Sequence, residues 1–360
     1  MADVQISGSQ PVDVHVHVVG NGHGGTGCWL RVSRARSPLA ALMLRHAGLP
    51  PHAFEDDLDR LYVDRLLEMV RTSSLGAVVI LAQDRPYDDQ GRLIEGAGSH
   101  YVPNDYVLKL GRDHPEFLPA VSIHPARPDA MVALERCLAG GAVMMKCLPN
   151  CQNIDCSNKR FTRFWERMAE TKLPLLAHTG GEHTLPVLRP EFGDPRLLEL
   201  PLECGVTVIA AHCATKSGLT DPEYFHVFVG MTRRFPKLYG DNSAFTAPIR
   251  GRHVRQCAQE LADRIIHGSD FPVPVYGHFP WLRGFLDRKT FRRWQRVPNV
   301  LERDYQFKRA MGFPPETFTR AWGLLRLPPA NAIAIGQDVS ATKNRASQPG
   351  GDRRARGVSN

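Results

Sequence analysis

The sequence predicts an α/β protein built as one (β/α)8 TIM barrel. Three observations lead there: eight short apolar runs read as strands, segments of helical period lie between them, and ionisable residues recur at the C-terminal ends of the runs.

The first run, VDVHVHV at 12–18, has period two, which predicts Asp13, His15 and His17 on one face and Val12, Val14, Val16 and Val18 on the other. Two histidines two apart stand about 6.6 Å apart along a strand, close enough for both rings to lean onto one ion. The next runs are GAVVILAQ (76–83), FLPAVSIH (117–124) and GAVMMKCL (141–148). They are followed by LPLLAH (173–178), VTVIAAH (206–212), KLYGDNS (237–243) and RIIHGSD (264–270). Between them, Leu58, Leu61, Tyr62, Leu66, Met69 and Val70 mark the first helix, and Phe161, Phe164, Trp165 and Met168 the fourth. Gly140 and Gly141 should stop the third helix, and Asp221–Pro222 should start the sixth.

An open doubly wound sheet is the alternative, but it ordinarily carries a glycine-rich phosphate loop that opens a helix. GNGHGG at 20–25 follows the first strand without leading into one. Residues 10–336 are therefore expected to form a single domain, with two long connections, 19–54 and 271–303, following strands one and eight. Those strands are neighbours in a closed barrel, so the connections should meet over its C-terminal mouth as a lid. Their Arg31, Arg34, Arg36, Arg45, Arg288, Lys289, Arg292, Arg293 and Arg296 would draw in an anionic substrate. RKTFRRWQR (288–296) has the basic and aromatic mix of a nucleic-acid stripe, yet amphipathic packing explains it more simply.

The 360 residues are 42% hydrophobic and 23% charged, a globular composition. The opening MADVQISGSQ has neither a basic nor an apolar region, and no run is long enough to span a membrane, so a cytoplasmic protein is expected. Eight cysteines without a CxxC pair read as reduced, and Cys147, Cys151 and Cys156 fit no zinc spacing. Of the net charge of +8, residues 337–360 contribute Lys343, Arg345, Arg353, Arg354 and Arg356 against Asp338 and Asp352. That stretch reads as a disordered basic tail. A nucleic-acid-binding protein acting through it would leave the ionisable strand ends without a purpose; oligomeric state stays open.

Those strand ends carry His15 and His17, then Lys146, His178, His212 and Asp270, at the face where barrel enzymes keep their chemistry. With them, the stretches VDVHVHV, AVMMKCLPN, LLAHTGGEH, VIAAHC, LYGDNSAF and RIIHGSDFPVP resemble the amidohydrolase superfamily of metal-dependent barrel hydrolases. The resemblance is to its amidohydrolase-related (amidohydrolase 2) family and spreads over residues 12–275. It implies that His15, His17 and Asp270 hold one divalent ion, that His178 and His212 hold a second, and that Lys146, carboxylated on its amine, bridges the two. One or two ions are compatible with the pattern, and the lysine favours two. Imidazole and carboxylate donors suit zinc best, with manganese, cobalt or iron as alternatives.

The implied activity is hydrolysis of an amide, ester or lactone bond in a small, anionic substrate, with metal-activated water as nucleophile and Asp270 as the proton acceptor. The alternative is non-oxidative decarboxylation of an aromatic or related carboxylic acid on a single ion; a catalytically silent metal scaffold has nothing in its favour. His124 reads as structural, Glu182 and His183 as neighbours of His178 or of substrate, and Asn242 and Ser243 as facing the same cavity.

Overall fold

The computed structural model describes residues 9–32 and 37–327. Arg34, Arg36 and the basic stretch 337–360 lie outside them.

Eight strands form one sheet in sequence order, each parallel to the next: β1 (Val12–His17), β2 (Ala77–Leu81), β3 (Phe117–Val121), β4 (Met144–Cys147), β5 (Leu175–Ala177), β6 (Val208–Ala210), β7 (Leu238–Asp241) and β8 (Ile265–Ile266). The sheet curls until β8 and the residues after it meet β1. There the Val14 N–H donates to the His267 carbonyl at 3.0 Å, the Asp270 N–H to the His15 carbonyl at 2.9 Å, and the His17 N–H to the Phe271 carbonyl at 2.8 Å. The fold is thus the (β/α)8 barrel that the alternating pattern predicts.

Helices α1 (Leu58–Arg71), α2 (Asn104–Asp113), α3 (Ala130–Ala139), α4 (Thr162–Glu170), α5 (Glu199–Glu203), α6 (Phe225–Arg234), α7 (Val254–Gln259) and α8 (Val300–Ala310) follow the strands in turn. In α1 the side chain of Asp57 caps the first turn by accepting from Arg60 N–H, and Leu58, Tyr62, Leu66, Met69 and Val70 are its buried face. The core has two layers. Val12, Val14, Val79, Leu81, Leu176, Ile209 and Ile266 fill the barrel, with Ala321 and Leu325 packed beneath them. A larger layer, including Val16, Val78, Ile80, Met145 and Leu175, packs outward against the helices.

Two expectations about local structure need correction. In β1 the register slips between Asp13 and Val16, so Val12 and Val14 join the inner layer while Val16 and Val18 join the outer one. A bulge of this kind reverses the side-chain alternation, and it parts Asp13 from His15 and His17. Asp13 instead accepts from the backbone N–H groups of His15 and Ser269, at 3.0 and 2.9 Å. Second, α6 begins at Phe225. Asp221 does not cap it; its carboxylate is spent on the N–H groups of Ser217 and Gly218 and on His183.

The connection after β1 contains a two-residue strand, Trp29–Leu30, paired antiparallel with His100–Tyr101, and a helix, Ser37–His46. The connection after β8 contains helices His278–Leu282 and Arg288–Gln295. In the second of these Phe291 and Trp294 are half-buried and the arginines exposed, as amphipathic packing requires. The Val275 N–H donates to His46 Nε2 at 2.9 Å and ties the two connections together. No helix among the described residues is long and apolar enough to cross a membrane.

Candidate metal centre

The closing seam sets the geometry of the site. Its three backbone hydrogen bonds hold His15 and His17 beside Asp270, and the side chains of all three converge. His15 Nε2 lies 3.2 Å from His17 Nε2 and 3.3 Å from Asp270 Oδ1, and His17 Nε2 lies 3.4 Å from the same oxygen. A point equidistant from these atoms is about 1.9 Å from each, close to the ~2.0–2.2 Å of zinc to nitrogen or oxygen.

The proton positions fit a cation as well. His15 Nδ1 is 2.7 Å from Asp241 Oδ2, so the imidazole proton sits on Nδ1 and the Nε2 lone pair faces Asp270. That lone pair is met by Lys146 Nζ at 3.2 Å as well as by Asp270 Oδ1 at 3.3 Å, so a cation, the lysine ammonium or a metal ion, balances the two. Burial, aided by the Lys146 charge, pushes the His15 pKa well below its ordinary value and keeps the ring neutral, the form that ligates.

His178 follows β5 directly and His212 follows β6 two residues on. Their rings are 5.1 Å apart, and the His212 ring is 5.4 Å from that of His15. His212 Nδ1 is held by Ser243 Oγ at 2.8 Å, and its backbone N–H donates to Asp241 Oδ1 at 2.7 Å. His178 Nε2 is buried without a hydrogen-bond partner, 3.6 Å from Glu182 Oε2. Burial lowers the pKa of both rings, that of His178 to about 3. His212 and Asp270 both adopt left-handed backbone, at φ 60° and 68°. Such a conformation costs on the order of 1–3 kcal/mol in a non-glycine residue and gathers at functional sites.

Lys146, on β4, is fully buried, with Nζ 3.2 Å from His15 Nε2. Among the described residues it forms no ion pair, and burial lowers its pKa toward the neutral amine. The six side chains expected at the mouth therefore stand together there. Only His15, His17 and Asp270 form a compact donor group; His178, His212 and Lys146 surround it.

Above them opens a cavity of about 210 Å3. Leu30, Leu39, Met43, Leu44 and Phe54 give it an apolar wall, Pro272 and Val273 come from the connection after β8, and Glu182, His183 and Arg250 supply polar groups. Of the basic side chains expected to attract substrate, Arg31 lines the cavity, whereas Arg45, Arg288, Lys289, Arg292, Arg293 and Arg296 are exposed elsewhere. Asn242 and Ser243 do not line it, contrary to expectation. Both are fully buried, Asn242 accepting from Gly268 N–H and Ser243 serving His212. His124 is structural: its Nδ1 accepts from Ala126 N–H and its Nε2 donates to the Gln152 carbonyl. Cys28, Cys137, Cys147, Cys156, Cys204, Cys213 and Cys257 form no disulfide.

Two residues of the site escaped the sequence reading, Asp241 and Arg250. Asp241 lies inside the GDNSAF stretch at a strand end, the same signal that revealed His178 and His212, whereas nothing in the sequence around Arg250 marks it.

A barrel with ionisable groups gathered at the C-terminal ends of its strands is an enzyme architecture. The amidohydrolase family model matches residues 12–291, and the chain belongs to that family, the amidohydrolase 2 branch of the amidohydrolase superfamily. No curated protein is significantly similar in sequence. Among solved structures, an uncharacterised TIM-barrel protein from Bordetella bronchiseptica aligns with a TM-score of 0.53 at 16% identity, covering 82% of this chain and 99% of its own. The 5-carboxyvanillate decarboxylase of Sphingomonas paucimobilis aligns with a TM-score of 0.48 at 10% identity, covering 89% and 99%. The N-isopropylammelide isopropylaminohydrolase of Burkholderia multivorans aligns at 0.42 and 15% identity, covering 87% and 74%.

Proposed function

We propose that the chain is a metal-dependent hydrolase that cleaves an amide, ester or lactone bond in a small substrate. The observation that carries this reading is the triangle of His15 Nε2, His17 Nε2 and Asp270 Oδ1, with the first lone pair aimed inward by Asp241. These three side chains would hold one divalent ion, zinc by donor chemistry, with manganese, cobalt or iron as alternatives. His178 and His212 would hold a second, and a carboxylated Lys146 would join the two. When bound, a divalent ion supplies Lewis acidity and lowers the pKa of water from 15.7 to about 7.

The remaining work falls to the chain itself. Asp270 lines the cavity and is placed to accept a proton from the attacking water and return it to the leaving group. Asp241 keeps His15 in the ligating tautomer. The apolar wall of Leu30, Leu39, Met43, Leu44 and Phe54 excludes bulk water and strengthens every charge interaction at the mouth. In this reading the two long connections act as the lid.

A second reading, non-oxidative decarboxylation of an aromatic or related carboxylic acid, draws on the fact that among the described residues only His15, His17 and Asp270 form a compact donor group, enough for one ion. The buried Lys146 favours hydrolysis. Incubating the zinc-loaded protein with esters, lactones, amides and aromatic acids in 18O-labelled water separates the two. Label in the organic product supports hydrolysis; carbon dioxide release from the acids, with no label in the organic product, supports the lyase; neither, across the panel, removes both.

A further inference from the structure

Arg250 lines the cavity and follows β7 in a short 3-10 turn, Arg250–His253. It is only 5% exposed. One Nη1–H donates to the Thr215 carbonyl at 2.9 Å and one Nη2–H to the Gly181 carbonyl at 2.7 Å. Those carbonyls belong to the loops after β6 and β5, so three consecutive loops converge on one guanidinium and fix its plane.

Two of its five N–H groups are thereby spent, and the group stays charged under all ordinary conditions. Among the described residues it forms no ion pair. Burial opposes its charge, and Asp270, Glu182, Asp241 and Asp221 favour it from beyond ion-pair distance. Three of those carboxylates are engaged by other groups: Asp241 by His15 and His212, Asp221 by Ser217 and Gly218, and Glu182 Oε1 by the backbone N–H groups of Thr184 and Leu185. A buried cation with no carboxylate in direct contact is costly to keep, and a ligand carboxylate entering the cavity would supply that contact.

We infer that Arg250 is a specificity-determining residue that binds a carboxylate of the substrate, so that the substrate class is a small apolar molecule bearing a carboxylate. The planar fork matches two carboxylate oxygens, which an ammonium would not, and its anchored plane presents it without loss of rotamer freedom. In the same cavity Leu30, Leu39, Met43 and Phe54 are there to accept the apolar body. The basic side chains on the exposed helix Arg288–Gln295 do not reach this place. The inference rests on the cavity being the reaction site, and adds to it which substrates enter.

Benzoate and its neutral isostere benzamide are the probes, titrated calorimetrically against the zinc-loaded full chain, the chelator-treated chain, Arg250→Gln and Arg250→Lys, with zinc content measured for each. Wild type should bind benzoate at least ten-fold tighter than benzamide, with or without zinc. Arg250→Gln should lose that preference while keeping its zinc, and Arg250→Lys should retain part of it. Equal binding of the two probes by wild type overturns the inference, as does a preference that survives in Arg250→Gln. A preference that vanishes on zinc removal also overturns it, since the ion then holds the carboxylate; this arm needs no variant to fold. Because zinc content and 18O incorporation are read separately, failure of the hydrolase reading is not confused with failure here.

Discussion

His15 and Asp241 are joined by a buried hydrogen bond: Asp241 Oδ2 accepts the Nδ1 proton of His15 at 2.7 Å, while the other oxygen of the same carboxylate accepts the backbone N–H of His212 at 2.7 Å. One buried side chain on β7 thus orients a candidate ligand from each of two other strands.

Asp241→Asn should therefore weaken metal binding without removing a donor atom. An amide nitrogen facing His15 would shift the imidazole proton to Nε2 and occupy the lone pair. Partners of this kind are worth about 10–100-fold in metal affinity. Competition for zinc against a chromophoric chelator measures the change, and an unaltered affinity would remove Asp241 from the site.

Gly268→Ala tests the packing behind the same pair. A Cβ at that position would stand 2.8 Å from His15 Cβ and 3.3 Å from Asp241 Oδ2. Overpacking costs about 1–3 kcal/mol, and here the strain falls on the ligand-bearing strand, so zinc affinity should fall along with urea stability. The contrasting change is Gly230→Ala in α6, where nothing lies within 4 Å of the new Cβ. It should stabilise the chain by about 0.5–1 kcal/mol and leave zinc binding alone.

Lys146→Ala addresses the number of ions. Elemental analysis of wild type purified at pH 8 with bicarbonate should give close to two metal ions per chain, falling to one in the variant. The sign follows from burial, which holds the lysine pKa below its ordinary value and makes the neutral amine available to carbon dioxide. One ion in both proteins would retire the bridging role and favour the lyase reading.

The His46–Val275 hydrogen bond gives the mouth a pH dependence. Burial, with a smaller contribution from Arg303, lowers the His46 pKa from 6.5 to about 4, and Arg303 Nη1 also donates to the Val275 carbonyl at 3.2 Å. The neutral ring that accepts the Val275 proton is thus favoured in the folded state. Its stabilisation is complete above about pH 6.5 and is lost as pH falls toward about 4. Asp13 and Asp304, raised to about 6 and about 7 by burial, act in the opposite direction: their contribution is present below 3.8 and lost as pH rises through those values. Global stability mixes the two, so the local readout is amide exchange at Val275. Its protection factor should drop between pH 6.5 and 4 and be low at every pH in His46→Phe.

Much of this was legible in the sequence because barrel strands end where the chemistry is. The apolar runs located His178 and His212 within two residues of their strand ends, and the α1 face was readable from its spacing. What escaped was set by tertiary geometry. Alternation cannot reveal the bulge in β1 that sends Asp13 away from His15, because the valines on either side are equally apolar. Asp221 has the sequence of a helix cap, yet the loop before it competes for the same carboxylate. Arg250 sits in a turn whose neighbours are polar and basic, and only the meeting of three loops distinguishes it from a surface arginine.

The two edges of the sheet that close the barrel on each other are the ones that carry His15, His17 and Asp270, so closure of the barrel and assembly of the donor triangle are one and the same arrangement. An ion held there would rivet the first strand to the last and would bind the closed cylinder while ignoring any open sheet. Zinc would then raise the stability of the whole chain by mass action, and its loss would be felt first as parting along that junction.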